Sequence, residues 1–429
     1  MKVQIARGTR DAMPETMLQR QRVVDIIRGV YEAHGFNPLA TPAFERIETL
    51  MGKYGDEGDQ LIYRILKRGE GGKRGEVDLA LRYDLTVPLA RVVAMNPSLR
   101  MPFKRYQIQQ VWRADKPQHG RFREFTQCDI DVVGCDDPIA DAEVITAVDR
   151  ALRALGLTDF TIQLNHRALL RAMVDAIGAG ERETSVLVGL DKLDKIGWDG
   201  VRAELGRTAG LDEGQMDQLQ DLVSVSGPEG LDALARLGPA VDELRQVLDL
   251  ADALGLTPGA AVFSPTLARG LSYYTGPVFE VVSNQARIGS ITGGGRYDGL
   301  VGMFGKTQVP AVGASLGLER ILVVLDELGL LDGPKTVVQV LVTLFDADSR
   351  PAALSTVRAL REAGVSTDVW VKRPGKLGKQ FKHADQSGIP WVLIQGPEEA
   401  QSGVVKLKHL ATGEQWTGPL ADAITRLRA

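Results

Sequence analysis

Apolar and polar residues alternate from Tyr106, break at Lys116-Pro117-Gln118-His119-Gly120, and resume through Cys128, Ile130 and Val132. A period of two on both sides of a turn predicts a long antiparallel hairpin. On its second strand that period sets Arg123, Phe125, Gln127, Asp129 and Asp131 on one face, while Arg113 and Asp115 share a face of the first. Such a face is costly to hold unless it is solvated or binds something charged. Arginine grips phosphate with a planar fork and Phe125 offers a stacking surface, so the hairpin is a candidate floor for a nucleotide. A solvated strand of mixed charge is the alternative.

The rest of the chain supplies other elements. A helical pattern runs from about residue 17 to 34 and stops at Gly35. Residues 36 to 44 read as extended, with Pro38 and Pro42 confining them to a sheet edge or a subunit contact. Residues 80 to 89 predict an alternating strand with Arg82, Asp84 and Thr86 on one face, where carboxylate and hydroxyl together can accept from an ammonium group or simply form the polar face of a surface strand. A helix over 141 to 155 and a strand over 160 to 164 follow. From 167 to 255 the pattern is almost wholly helical, broken at Gly210, Gly227-Pro228 and Gly238-Pro239.

Glycines then fall beside Arg269, Tyr273 and Tyr274, and again at Gly293-Gly294-Gly295, where backbone can approach a ligand or simply turn. Residues 310 to 325 predict a strand feeding a helix, with Arg320 near the helix start against the macrodipole. After Gly333-Pro334, strands and helices alternate in the order of a small α/β domain with a mainly parallel sheet.

At 429 residues the chain has room for two or three domains. With 44% hydrophobic and 25% charged residues and no long apolar run, it reads as soluble, non-membrane and cytoplasmic. Cys128 and Cys135 lack a zinc-site spacing and read as small buried hydrophobes, and five scattered histidines argue against a protein-held metal. The net charge of -4 hides an asymmetry: residues 335–429 carry 13 Lys and Arg against 9 acidic residues, whereas 167–255 carry 9 against 17. The basic end, with Lys372, Arg373, Lys376, Lys379 and Lys382, suits an anionic partner or a plain solvated helix face.

Taken together, the segment ending near Pro42, the Arg113 hairpin and the GLERIL stretch with Arg320 resemble the three motifs of class II aminoacyl-tRNA synthetases. LARGLSYYTG and GGGRYDGL resemble the histidine-binding segments of the histidyl-tRNA synthetase family, and KLGKQFKHADQSGIPWVLI its anticodon-binding domain. The resemblance implies an antiparallel-sheet catalytic core (1–166 and 256–333) interrupted by a helical insertion (167–255), then an anticodon-binding α/β domain (334–429). It implies ligation of L-histidine to tRNA(His) through histidyl-adenylate, with ATP and Mg2+ and no protein-held metal, by a homodimer. Position by position it implies that Arg113 holds the α-phosphate, Arg320 the γ-phosphate, and that Phe125 stacks on adenine beside Asp115. Arg269 would meet the reacting carboxylate and α-phosphate. Asp84, Thr86 and Gln127 would take the ammonium, and Asp131 and Tyr274 the imidazole, with Tyr273 close by. Gln118 in the hairpin loop, with Lys376, Lys379 and Lys382, would face tRNA. Two departures stand out: RYDLT and Asp131 are closer to archaeal and eukaryotic members, and Ser272 replaces an Asp usual before the tyrosine pair. A non-charging paralogue, regulatory or tRNA-binding, is the competing expectation.

Overall fold

A computed structural model describes residues 2–268, 273–286, 288–305, 307–331, 333–373 and 375–428, without the side chains of Asp56, Glu57, Asp194 and Pro228. The chain divides into two compact units, Met1–Arg10 with Val23–Leu331, and Asp11–Arg22 with Asp332–Ala429.

The first unit is organised by a large sheet of eight strands among the described residues. Their order across the sheet is Asn37–Pro38, Phe103–Trp112, Glu124–Val133, Ala311–Gly317, Thr292–Arg296, Pro277–Ser283, Phe160–His166 and Ala261–Phe263. Pairing is parallel at the two outer contacts and antiparallel between all the others. The hairpin is regular, running in register from Phe103 opposite Val133 to Trp112 opposite Glu124. Its Cys128, Ile130 and Val132 join the core that also holds Val144, Val148 and Leu152 of helix Ile139–Ala154. The opposite face is not solvated: Asp129 and Asp131 are 1% and 2% exposed. Of the two ways to tolerate that charge, the fold adopts enclosure around a site.

Pro38 lies on the edge strand, where its missing N–H costs no ladder bond. Beside it Glu143 lies 2.7 Å from Lys104 Nζ and 3.4 Å from His34 Nδ1, tying the hairpin to the end of helix Pro14–Ala33. Hydrogen bonding from His34, then from Lys104, holds the Glu143 carboxyl down to about 2. A depressed carboxyl stabilises the fold above its unfolded pKa, about 4.3, and loses that contribution as pH falls toward 2. Glu143→Gln is therefore expected to cost about 1 kcal/mol at pH 6, a magnitude reduced by partial solvent screening. Urea titrations should show the difference from the parent vanishing near pH 2; a gap that persists there would refute the ionic origin.

The expected strand over 80 to 89 requires correction. The strand is Val77–Leu81, in a small sheet with Phe44–Arg46 and Arg64–Leu66, and residue 86 begins the helix Thr86–Met95. Pro88 explains the switch, since proline fits a helix's first turn and no central strand. Asp84 Oδ1 accepts from Val87 N at 3.0 Å, satisfying one of that turn's open donors. Arg82 turns away and binds Thr41 O and Gln110 O. Helices between Arg167 and Ala253 break at Gly210, Gly227 and Gly238, all with positive φ, and their Leu169, Leu219 and Leu244 share the main core. Cys128 is buried, but Cys135 is only half-buried.

In the second unit, strands run in the order Thr367–Val369, Val340–Val342, Trp391–Ile394, Val404–His409 and Gln415–Pro419. The first three pair in parallel and the last two antiparallel, so the sheet is mixed where a mainly parallel one was expected. Val342, Leu393 and Leu407 pack with Val357 and Leu427 on one face, while Leu341 and Val392 pack with Ala384 on the other. Helices therefore cover both faces, as a sheet with parallel strands requires.

Candidate active site

Two cavities meet over the hairpin face. The first, about 330 Å³, is lined by Arg113, Asp115, Phe122 and Phe125 from the hairpin and by Glu319 and Arg320 from the start of helix Leu318–Glu327. The second, about 250 Å³, is lined by Asp84, Thr86, Gln127, Asp131, Tyr273, Tyr274 and Tyr297. Arg113, Gln127, Glu280, Gly293 and Ser315 line both. Arg113 therefore stands where groups held in the two cavities would touch.

Arg113 is held rigidly for that position. Its Nε donates to Tyr83 O at 3.1 Å, and its guanidinium carbon lies 4.2 Å from the Tyr83 ring centre and 5.2 Å from that of Phe125. A planar cation between two aromatic faces loses little further freedom on gripping an anion. At the far wall Arg320 donates to Ser290 O, and Glu319 accepts from Thr126 N at 2.8 Å. Arg10 lies 3.7 Å from Glu319 and stacks 4.2 Å over Phe122, closing that side. Asp115 pairs with Arg121 at 3.5 Å. The first cavity thus offers two separated arginines and an aromatic face, which suit phosphates and a base.

The second cavity is acidic, and two of its buried acceptors are unmet. Asp84 Oδ1 accepts from Tyr54 at 3.1 Å as well as from Val87, but Asp84 Oδ2 and Gln127 Oε1 are buried with no hydrogen-bond partner. Gln127 is oriented by donation from its Nε2 to Ser315 Oγ at 2.6 Å. Burial raises the pKa of Asp84 and of Asp131, and pushes the Asp129 carboxyl up to about 7 against the pull of Arg105. Burial likewise raises the Tyr273 and Tyr274 hydroxyls, which stay protonated and available as donors. Tyr273 stacks edge-on against both Tyr274 and Tyr297, with ring centres 5.1 and 5.8 Å apart. Tyr297 donates its hydroxyl to Asp131 Oδ1. Buried acceptors without donors are costly, and a small cationic ligand would relieve them.

Every residue expected from sequence for nucleotide and amino acid therefore lines one of the cavities, except Arg269, which lies with Ser272 outside the described residues. Gln118 is exposed at the hairpin turn, bridged to Arg121. Lys379 and Lys382 are exposed on helix Leu377–Gln386, and Lys376 is its exposed N-cap. Sequence reasoning missed Glu280, Ser315 and Tyr297. A lone acid in the apolar run PVFEVVS was a usable signal for Glu280, and Tyr297 sat in GGGRYDGL, where only the glycines were read. Among the described residues no group of three or more His, Cys, Asp or Glu could hold a metal ion.

An antiparallel sheet floored by an arginine hairpin, with a second arginine on a following strand-helix unit, defines a class II aminoacyl-tRNA synthetase core. The profile of the histidyl-tRNA synthetase family matches residues 8–321, and that of the anticodon binding domain matches 338–429. The histidine--tRNA ligase of Cytophaga hutchinsonii is 41% identical over 99% of both chains. That of Aeropyrum pernix is 43% identical, over 97% of this chain and 96% of its own. The crystal structure of histidyl-tRNA synthetase from a Nostoc species superposes with a TM-score of 0.86 at 32% identity, covering 100% of this chain and 99% of that one. The chain belongs to the histidyl-tRNA synthetase family.

Proposed function

We propose that this protein ligates L-histidine to tRNA(His) in two steps. A histidine carboxylate oxygen attacks the α-phosphorus of ATP and pyrophosphate leaves; a terminal ribose hydroxyl of the tRNA then attacks the acyl carbon and AMP leaves. The observation that carries this reading is the pair of partnerless acceptors, Asp84 Oδ2 and Gln127 Oε1, in a cavity that meets an arginine-lined one at Arg113. An α-ammonium supplies the missing donors, which points the adjoining carboxylate toward Arg113. Adenine lies on Phe125 near Asp115, the γ-phosphate meets Arg320, and Arg113 takes the α-phosphate. Asp131 accepts from one imidazole nitrogen and Tyr274 addresses the other, with Tyr273 and Thr86 completing the wall. Arg269 approaches the carboxylate and α-phosphate from its own segment.

No residue need be acylated, so catalysis rests on orientation and on charge stabilisation at the transferring phosphate. Mg2+ bound with ATP would neutralise phosphate charge, and Glu280 and Glu319 are the oxygen donors on the wall of the first cavity that would help to hold it. The active form is a cytoplasmic homodimer with the 36–44 segment at its interface. No helix among the described residues is long and apolar enough to cross a membrane.

The test is ATP–pyrophosphate exchange run with each standard amino acid. Exchange with histidine alone is expected, and exchange with another amino acid in its place would overturn the reading. For tRNA, the basic cluster supplies a separate handle. Changing Lys376, Lys379 and Lys382 to Glu is expected to lower tRNA charging at least tenfold, with a shallower salt dependence, while histidine-dependent exchange stays within twofold. Equal loss of both activities would remove these lysines from the tRNA contact.

A further inference from the structure

Behind the second cavity lies a charge that lines neither cavity. Arg105, on strand Phe103–Trp112, is 0% exposed and faces Asp131 directly across the hairpin. Its Nη2 stands 2.7 Å from Asp131 Oδ2, although out of hydrogen-bond alignment. The guanidinium is otherwise thinly served. Nη1 reaches Gln107 and Nη2 reaches Leu85 O, both at 3.4 Å, and Nε has no partner. A buried ion pair of this kind adds little net stability over a pair of apolar residues, although removing one partner alone leaves the other charge buried and uncompensated. What Arg105 does supply is a positive charge beneath two buried carboxylates.

We propose that Arg105 is a positioning residue for histidine selection, keeping the Asp131 carboxylate ionised and turned toward the substrate's imidazole N–H from outside the pocket. This deepens, and rests on, the reading of the second cavity as the histidine site. Asp131 has one oxygen taken by Tyr297 and the other facing Arg105, and Gly313 opposite it leaves the carboxylate room. The groups around it are Arg105 from the neighbouring strand, Asp129 on its own strand, Tyr297 and Tyr274 from the far wall, and Tyr31 from helix Pro14–Ala33. Asp84 adds a third carboxylate near Asp129. Arg105 is the cation that opposes the rise in Asp131's proton affinity that burial causes. Without it the carboxyl would hold its proton to higher pH and offer a donor where the imidazole N–H needs an acceptor.

The test compares the parent, Arg105→Met, Arg105→Lys, and the double variant Arg105→Met with Asp129→Asn, which keeps the net charge should the single change fail to fold. Histidine affinity is read by calorimetry, KM values for histidine and ATP by pyrophosphate exchange, and both across pH 5.5 to 8.5. Folded Arg105→Met is expected to weaken histidine binding at least tenfold and leave the KM for ATP within twofold, and the double variant, which also removes the carboxylate that opposes ionisation of Asp131, to weaken it by a smaller factor that still exceeds twofold. The acid limb of kcat/KM for histidine should move up by a pH unit or more, and Arg105→Lys should recover most of both effects. Histidine affinity within twofold of the parent, an unmoved acid limb, or equal loss for ATP would overturn the inference. A parent that binds histidine but does not exchange would overturn the ligase reading alone, since the binding ratio still reports on Arg105; a parent that does not bind histidine would overturn both.

Discussion

Arg113→Gln is expected to lower histidine-dependent pyrophosphate exchange by about 10³-fold, about 4 kcal/mol of transition-state stabilisation. The size follows from geometry: this one guanidinium lines both cavities and is already clamped between Tyr83 and Phe125. It therefore reorganises little as negative charge grows on the transferring phosphate. Glutamine keeps a polar group at the site and loses the charge and the fork. Because the aromatic pair and the remaining contacts persist, thermal stability should change little. The loss should fall mainly on kcat, since the interaction strengthens as the reaction proceeds. Retention of more than a tenth of the parent's kcat by a folded variant would remove Arg113 from the chemical step.

Gly313→Ala is expected to raise the KM for histidine at least a hundredfold and leave that for ATP near its parent value. A Cβ at this position would stand 2.0 Å from Asp131 Oδ1 and 2.7 Å from Ile130 O. The carboxylate or the strand must yield. The strand is fixed on both sides by the register of Ala311–Gly317 against Glu124–Val133 and Thr292–Arg296, so Asp131 moves first. That breaks its contact with Tyr297 and its approach to Arg105 together. Overpacking of this kind costs about 1–3 kcal/mol of stability as well. Histidine titration beside a melting curve separates the two effects, and an unchanged histidine KM would show that Asp131 does not face the ligand.

Much of the scaffold was readable because it follows local rules. The hairpin announced itself by its period of two, and the helical breaks at Gly210, Gly227 and Gly238 by residues that tolerate positive φ. The misreading over residues 80–89 came from weighing alternation above Pro88, a stronger local determinant. Cavity residues near the hairpin could be found because charge on a strand calls for an explanation. Ser315 and Gly313 could not, since their importance is created by pairing between strands distant in sequence, opposite Asp129 and Asp131; Arg105 faces Asp131 within the hairpin itself, one residue ahead of the alternation read from Tyr106. No local pattern records which strands become neighbours. The assignment of roles came from the resemblance to a family, and composition excluded little beyond a membrane span.

The unbroken hairpin register has a consequence for how the protein can err. The residues proposed to meet the nucleotide sit at the turn end of the two strands and those proposed to meet the amino acid further along the same pair, all on one face. A slip by a single residue would turn Cys128, Ile130 and Val132 into the cavities and bury Gln127, Asp129 and Asp131 against the helices. Both substrates would lose their partners at once. A mispaired chain is thus inert and not promiscuous, so errors in folding are kept from becoming errors in translation.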